Sequence, residues 1–277
     1  MERRNNVIKV NEIVFGSEQF SNGEVSYKPV SIKQDNNVIE LYFQDNKDIA
    51  DLQFAVEFIR SEEPESKISL YMLYVPYGRM DRPIKGYAFS LKLFANIINR
   101  LNLDKIITLD NHSSGITDMI KNVFVQDINL YINKVTKIYE PDYLFFPDKG
   151  AMKKYPKILS QKILNTYPYF YGEKQRVLDD SREIISYELF NGELNLVGRR
   201  VLIIDDICCT GGTVIRVANI MKQRGVSDIA LWVAHCENNV IKYPIVREDS
   251  PISKIYTCNS IIRNYQIPEI EFVKIVV

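Results

Sequence analysis

The residues best suited to chemistry are concentrated in Val201–Val214, which reads VLIIDDICCTGGTV. Four aliphatic residues run into Asp205 and Asp206, two cysteines follow, and Thr210-Gly211-Gly212-Thr213 then leads into an amphipathic segment. Small hydroxyl residues and glycines between a strand and a helix leave backbone N–H groups pointing at an anion, and phosphate is the small anion most often held that way. Paired carboxylates beside such a cradle suit ribose hydroxyls or a metal-bound phosphate. The plainer alternative is that they cap the following helix. No GxxxxGK[ST] loop occurs, which excludes a Walker-type nucleotidase.

Five more segments carry groups of the same kind. YVPYGRMDRP (74–83) contains Arg79 and Asp81, and TLDNHSS (108–114) contains His112, one of two histidines in the chain. FPDKGAMKKY (146–155) sets Asp148, Lys149, Gly150 and Ala151 after an apolar run. Upstream, Phe20-Ser21-Asn22-Gly23-Glu24 puts an aromatic ring beside two polar side chains; Glu173-Lys174-Gln175-Arg176 is a charge run. Each has a bland reading as well: a structural loop histidine, a Pro-Asp turn without a ligand, a polar turn, a solvated face.

These groups need elements to position them. Val38–Phe43, Ile68–Val75, Ile106–Leu109, Tyr143–Phe146, Val201–Ile204 and Ile229–Ala234 read as strands, rich in β-branched and aromatic residues. Between them, Ile49, Leu52, Ala55, Val56 and Ile59 share one helical face, and Leu91, Phe94, Ile97, Ile98 and Leu101 share another. A further helix spans about Thr213 to Arg224 and stops at Gly225. Strands alternating with helices imply parallel βαβ units, and unbroken apolar strands imply sheets covered on both faces. Ligands of such sheets bind beyond the carboxyl ends of the strands. Asp110, Asp148, Asp205 and Asp206 all fall at that end.

Composition narrows the function classes. With 277 residues, 46% hydrophobic and 25% charged, the chain is long enough for one or two ordinary globular domains. A formal net charge of zero gives no reason to expect a nucleic-acid partner. No apolar stretch is long enough for a bilayer, and the N-terminus lacks the apolar core of a signal peptide. The four cysteines form no CxxC pair, as expected of reduced thiols in a cytoplasmic protein.

The 205–213 segment resembles the ribose-phosphate loop of type I phosphoribosyltransferases and of phosphoribosyl pyrophosphate synthetases (ribose-phosphate pyrophosphokinases). The other five segments, in their order along the chain, resemble the synthetases. The resemblance implies an α/β fold of two type I phosphoribosyltransferase-like domains, each a mostly parallel sheet flanked by helices, expected at 1–140 (the ATP side) and 141–277 (the pyrophosphate and ribose-phosphate loops). It implies transfer of the β,γ-diphosphoryl group of ATP to the anomeric hydroxyl of a ribose 5-phosphate-type acceptor, releasing AMP. Phe20, Asn22, Glu24, Arg79, Asp81 and His112 would bind ATP, with the adenine site shared between subunits of a homo-oligomer, dimer or hexamer. Asp148, Lys149, Gly150 and Ala151 would form the pyrophosphate loop, and His112 and Asp148 would hold or position Mg2+. Lys174 and Arg176 would be catalytic. Asp205, Asp206, Cys209, Thr210, Gly211, Gly212 and Thr213 would take the ribose phosphate.

Two residues depart from the resembled pattern. Cys209 stands where the loop usually has a third acid, and Met80 where a glutamine is common. A lost carboxylate would suit a more highly charged acceptor, so ADP-ribose joins ribose 5-phosphate as a candidate. The remaining alternatives are a phosphoribosyltransferase and a non-catalytic subunit that regulates a synthetase.

Overall fold

The computed structural model describes residues 8–176, 184–190, 192–262 and 267–273, with the backbone only at 174–176 and 184–186. Two compact units divide between Gln126 and Asp127.

The first unit opens with β1 (Ile8–Val10), β2 (Ile13–Val14), and a small hairpin of β3 (Ser17–Gln19) and β4 (Val25–Tyr27). It continues through β5 (Asn36–Leu41), α1 (Lys47–Glu62), β6 (Lys67–Tyr71), α2 (Ser90–Arg100), β7 (Lys105–Leu109), α3 (Gly115–Met119) and β8 (Val123–Gln126). The sheet runs β2-β1-β5-β6-β7-β8. Its last four strands are parallel, while β1 pairs antiparallel with both its neighbours. The helical periodicity read from the sequence buries Leu52, Ala55, Val56 and Ile59 on α1. On α2 it buries Leu91, Phe94, Ala95 and Ile98, while Ile97 is only partly covered. Each such aliphatic or aromatic side chain removed from water stabilises the unit by roughly 1.5–3 kcal/mol.

The second unit comprises α4 (Asn129–Tyr139), β9 (Tyr143–Phe146), α5 (Lys149–Ile158), α6 (Gln161–Thr166), β10 (Tyr169–Arg176) and β11 (Ile184–Phe190). It is completed by β12 (Arg200–Cys208), α7 (Gly212–Gln223), β13 (Asp228–Cys236), two 3₁₀ turns (Asn238–Lys242 and Pro244–Val246), β14 (Lys254–Thr257) and β15 (Ile270–Phe272). The sheet order is β11-β10-β9-β12-β13-β14-β15, parallel except for the β10–β11 hairpin. Strands β12 and β13 are almost wholly buried, as expected of a sheet covered on both faces.

The division falls ahead of the expected 140/141 boundary because α4 packs on the second sheet. Tyr131 lies 5.5 Å from the Trp232 ring, and the buried Tyr139 hydroxyl donates to the carbonyl of Val201. Two elements also differ from expectation. The strand expected to stop at Ile204 continues to Cys208, so Asp205 and Asp206 lie within it. The reason is β13, which pairs with β12 as far as Cys208↔Cys236. Glu173–Arg176, expected on a polar stretch, is the end of β10 and pairs with β11. The aromatic run Tyr169-Phe170-Tyr171 begins that strand and carries it.

Candidate active site

In the second unit the chain passes from β9 to β10 on one side of the sheet and from β12 to β13 on the other. β9 and β12 are direct neighbours. A reversal of this kind opens a crevice beyond the carboxyl ends of the two strands. Asp148 follows β9, and Asp205 and Asp206 lie in the C-terminal half of β12, so the sheet brings all three to this place. Their charges interact strongly. The Asp205 carboxyl is pushed well above the usual carboxylate range, first by burial and then by Asp206 and Asp148. Asp206 is also buried and donates its backbone N–H to Asp205 Oδ1 at 3.0 Å. A crevice with this surplus of negative charge favours cations and hydroxyl donors.

The phosphate cradle follows. Gly211 is the N-cap of α7, with φ of 74° and no side chain of its own to cap the helix. Gly211 is needed twice over. An L-residue is strained at that φ, and a Cβ there would come within 2.5 Å of Ile245 Cδ1. Thr210 Oγ1 accepts from the Gly212 N–H at 3.4 Å, and Thr213 is partly exposed on the first turn. The C-terminal end of α7 follows the sequence expectation: Gly225 has φ of 86°, and its N–H donates to the Lys222 carbonyl.

At the pyrophosphate turn, Asp148 caps α5 by accepting from the Ala151 N–H at 3.0 Å. That amide is turned toward Asp148, so within this expected loop Lys149 and Gly150 remain to face an anion. Lys149 Nζ pairs with Glu173 at 2.6 Å, tying the turn to β10 just before Lys174 and Arg176. The side chains of Lys174 and Arg176 lie outside the described residues.

Tyr187 was missed by sequence reasoning. It stands on β11 opposite Lys174, and its phenol donates to the Pro147 carbonyl at the root of the pyrophosphate turn. Burial, then the charges of Asp148 and Asp205, push its ionisation far up, so the phenol stays protonated. The ring lies over Gly172, where a Cβ would be 2.3 Å from it. A glycine within an aromatic strand marks such a close approach, and Gly172 was the available signal.

In the first unit, two loops meet at the carboxyl edge of the sheet. A Cβ at Gly78 would lie 3.8 Å from His112 Cβ, and one at Gly115 would lie 3.6 Å from the Asp81 carbonyl. The Arg79–Asp81 turn and the His112 loop are therefore adjacent, with Arg79 and His112 exposed. Asp110 is buried in a left-handed conformation (φ 44°). The buried Ser113 hydroxyl finds no hydrogen-bond partner among the described residues. Phe20 is 59% exposed on the β3–β4 hairpin. Asn22 Nδ2 donates to Glu24 Oε2 at 2.8 Å, and the Glu24 N–H returns to Asn22 Oδ1, so these two residues preorganise one another.

Among the described residues no group of three or more His, Cys, Asp or Glu forms a metal cage. Magnesium seldom needs one, because it binds through one or two carboxylates together with substrate phosphates. The crowded carboxylates of Asp148, Asp205 and Asp206 have the hard oxygen chemistry it requires. All four cysteines are free thiols.

Comparison with known proteins agrees with this geometry. The phosphoribosyl transferase domain family matches residues 118–269. A ribose-phosphate pyrophosphokinase of Sulfurisphaera tokodaii is 30% identical over 201 residues, covering 72% of this chain and 67% of that one. The ribose-phosphate pyrophosphokinase of Mycoplasmopsis pulmonis is 25% identical over 90% of this chain and 76% of its own. In fold, the chain is similar to the crystal structure of phosphoribosylpyrophosphate synthetase from Mycobacterium smegmatis, with a TM-score of 0.75 across 94% of this chain and 85% of that chain, at 17% identity. An α/β pair of mostly parallel sheets, acids gathered at a switch point and a glycine-threonine phosphate cradle thus coincide with sequence likeness along most of the chain: it belongs to the ribose-phosphate pyrophosphokinase family.

Proposed function

We propose that this enzyme transfers the β,γ-diphosphoryl group of ATP to the anomeric hydroxyl of ribose 5-phosphate and releases AMP. The observation that carries the proposal is the meeting of Asp148, Asp205 and Asp206 at the β9/β12 switch point, beside the N-terminus of α7.

In this reading the ribose hydroxyls donate to Asp205 and Asp206, and the 5-phosphate sits on the amides and hydroxyls of 210–213. The anomeric oxygen attacks the β-phosphorus, the bond to the α,β-bridging oxygen breaks, and AMP leaves with that electron pair. The proton of the anomeric hydroxyl passes to solvent. No covalent enzyme intermediate is needed, so catalysis rests on positioning and charge neutralisation. Lys174 and Arg176 neutralise charge that develops between the α- and β-phosphates. Arg79 and Asp81 hold the ATP side, with Ser113 Oγ available to a phosphate oxygen or a water. Bound Mg2+ would screen the phosphate charge, with Asp148 as its carboxylate partner. His112 is better suited to a phosphate oxygen or a metal-bound water than to this hard ion itself.

Phe20 stacks on adenine while Asn22 and Glu24 read the base edge, in a site completed by a second copy of a cytoplasmic homo-oligomer. The support is a large ring 59% exposed on a hairpin whose polar side chains are already paired.

ADP-ribose presents the same anomeric hydroxyl and is the second acceptor to test. The loop's charge gives no reason to prefer it. Cys209 brings no carboxylate of its own, but its thiol donates to Glu237 Oε1 at 2.8 Å, so a carboxylate remains at that position.

The test is AMP formation from ATP and Mg2+ with ribose 5-phosphate, with ADP-ribose and with no acceptor. Lys174→Ala should lower turnover at least about 100-fold while changing the KM for ribose 5-phosphate little. A Lys174→Ala protein with full turnover would remove Lys174 from the catalytic step. Wild-type protein that makes no AMP with either acceptor would favour the regulatory-subunit reading.

A further inference from the structure

We propose that Glu237 is an acceptor-binding residue, whose carboxylate reaches in from β13 to receive a ribose hydroxyl at the 205–213 loop. The inference rests on the reading of that loop as the ribose-phosphate site. Four observations carry it.

The first is register. Cys208 and Cys236 are paired in adjacent parallel strands, so Cys209 and Glu237 leave the sheet at the same level. The second is the contact itself, with Cys209 Sγ 2.8 Å from Glu237 Oε1 although the two residues are 28 positions apart. The third is anchoring of the backbone. The Glu237 N–H donates to the Cys208 carbonyl at 2.9 Å, and its own carbonyl accepts from the Val240 N–H at 3.1 Å. Val240 is fully buried in the first 3₁₀ turn, and Ile245 of the second packs against Gly211, so both turns and the loop share one core. The fourth is exposure: Glu237 and Cys209 are each partly exposed on a loop otherwise backed by that core.

The chemistry follows from the groups present. A thiol is a weak donor and a poor acceptor, so Cys209 by itself offers little to a sugar hydroxyl. A carboxylate has about four lone-pair positions, so one carboxylate can accept from both a thiol and a sugar hydroxyl. Cys209 therefore orients the Glu237 carboxylate, and the acid that the loop does not carry at 209 comes from the neighbouring strand. A purely structural clamp would make the same S–H···O contact but would discriminate no ligand.

The experiment is equilibrium titration of the intact protein with ribose 5-phosphate, ADP-ribose and inorganic phosphate, which needs no turnover. The proteins are wild type, E237Q, C209D and C209D/E237Q, each checked by thermal unfolding. Losing a charged hydrogen bond should weaken ribose 5-phosphate binding about 10- to 100-fold in E237Q. Binding of inorganic phosphate, which has no sugar hydroxyl, should stay within about threefold of wild type. C209D crowds two carboxylates and should also bind ribose 5-phosphate poorly, whereas C209D/E237Q moves the charge onto the loop and should recover most of the affinity. Unchanged ribose 5-phosphate binding in E237Q overturns the proposal, and so does a parallel loss of inorganic phosphate, which would make Glu237 a support of the loop only. If C209D does not fold, the E237Q contrast between sugar phosphate and phosphate still decides. If wild type binds neither sugar phosphate, the reading of the loop itself fails, and the proposal with it.

Discussion

At the scale of single residues, the site stores unfavourable charge. Burial and the neighbouring Asp206 and Asp148 raise the Asp205 carboxyl. The folded protein thus holds this proton more tightly than the unfolded chain does. Its contribution to stability is present below the ordinary carboxylate range and is lost as the pH rises through the raised value. Asp205→Asn removes the repulsion at neutral pH. It should raise the unfolding temperature by about 2–4 °C, the shift expected for roughly 1 kcal/mol in a protein of this size, while largely abolishing AMP formation. Thermal unfolding at pH 7 beside an AMP assay checks both, and a destabilised Asp205→Asn protein would contradict the charge argument. Asp148, Asp205 and Asp206 were legible in the sequence because they follow apolar runs. Tyr187 and Glu237 were not, because each comes from a different strand and meets the site only through sheet register. For Cys209, the sequence suggested a lost carboxylate; the fold supplies one from Glu237.

At the scale of elements, the apolar runs located the strands well: Tyr143–Phe146 is β9 to the residue. Expectation failed where pairing overrides local composition. Asp205-Asp206-Ile207 is polar enough to read as a loop, yet β13 offers hydrogen-bond partners for that length and holds it as strand. The same applies to the charged end of β10, held by β11. The cradle after β12 depends on Gly211, with its left-handed φ and Ile245 against it. Gly211→Ala should cost about 1–3 kcal/mol and weaken phosphate binding in step, read from the denaturant midpoint and a phosphate titration. A variant as stable as wild type would show that the turn relaxes and that Ile245 gives way.

At the scale of the whole molecule, both units set their candidate site residues at the carboxyl ends of parallel strands. The first gathers Arg79, Asp81 and His112, and the second Asp148 with Asp205 and Asp206. The division of the chain was harder to read, because α4 follows β8 without a glycine- or proline-rich linker and is assigned to the second sheet by tertiary contacts, among them its rings on Trp232 and Tyr256. The proposed reaction joins two phosphorylated substrates, and the family membership of the chain agrees. The most direct test of that claim is phosphorus NMR of the purified protein with ATP, Mg2+ and ribose 5-phosphate. Direct diphosphoryl transfer predicts AMP together with equal amounts of a new diphosphate ester on the sugar. AMP accompanied by free pyrophosphate, or ADP accompanied by a sugar monophosphate ester, would contradict it.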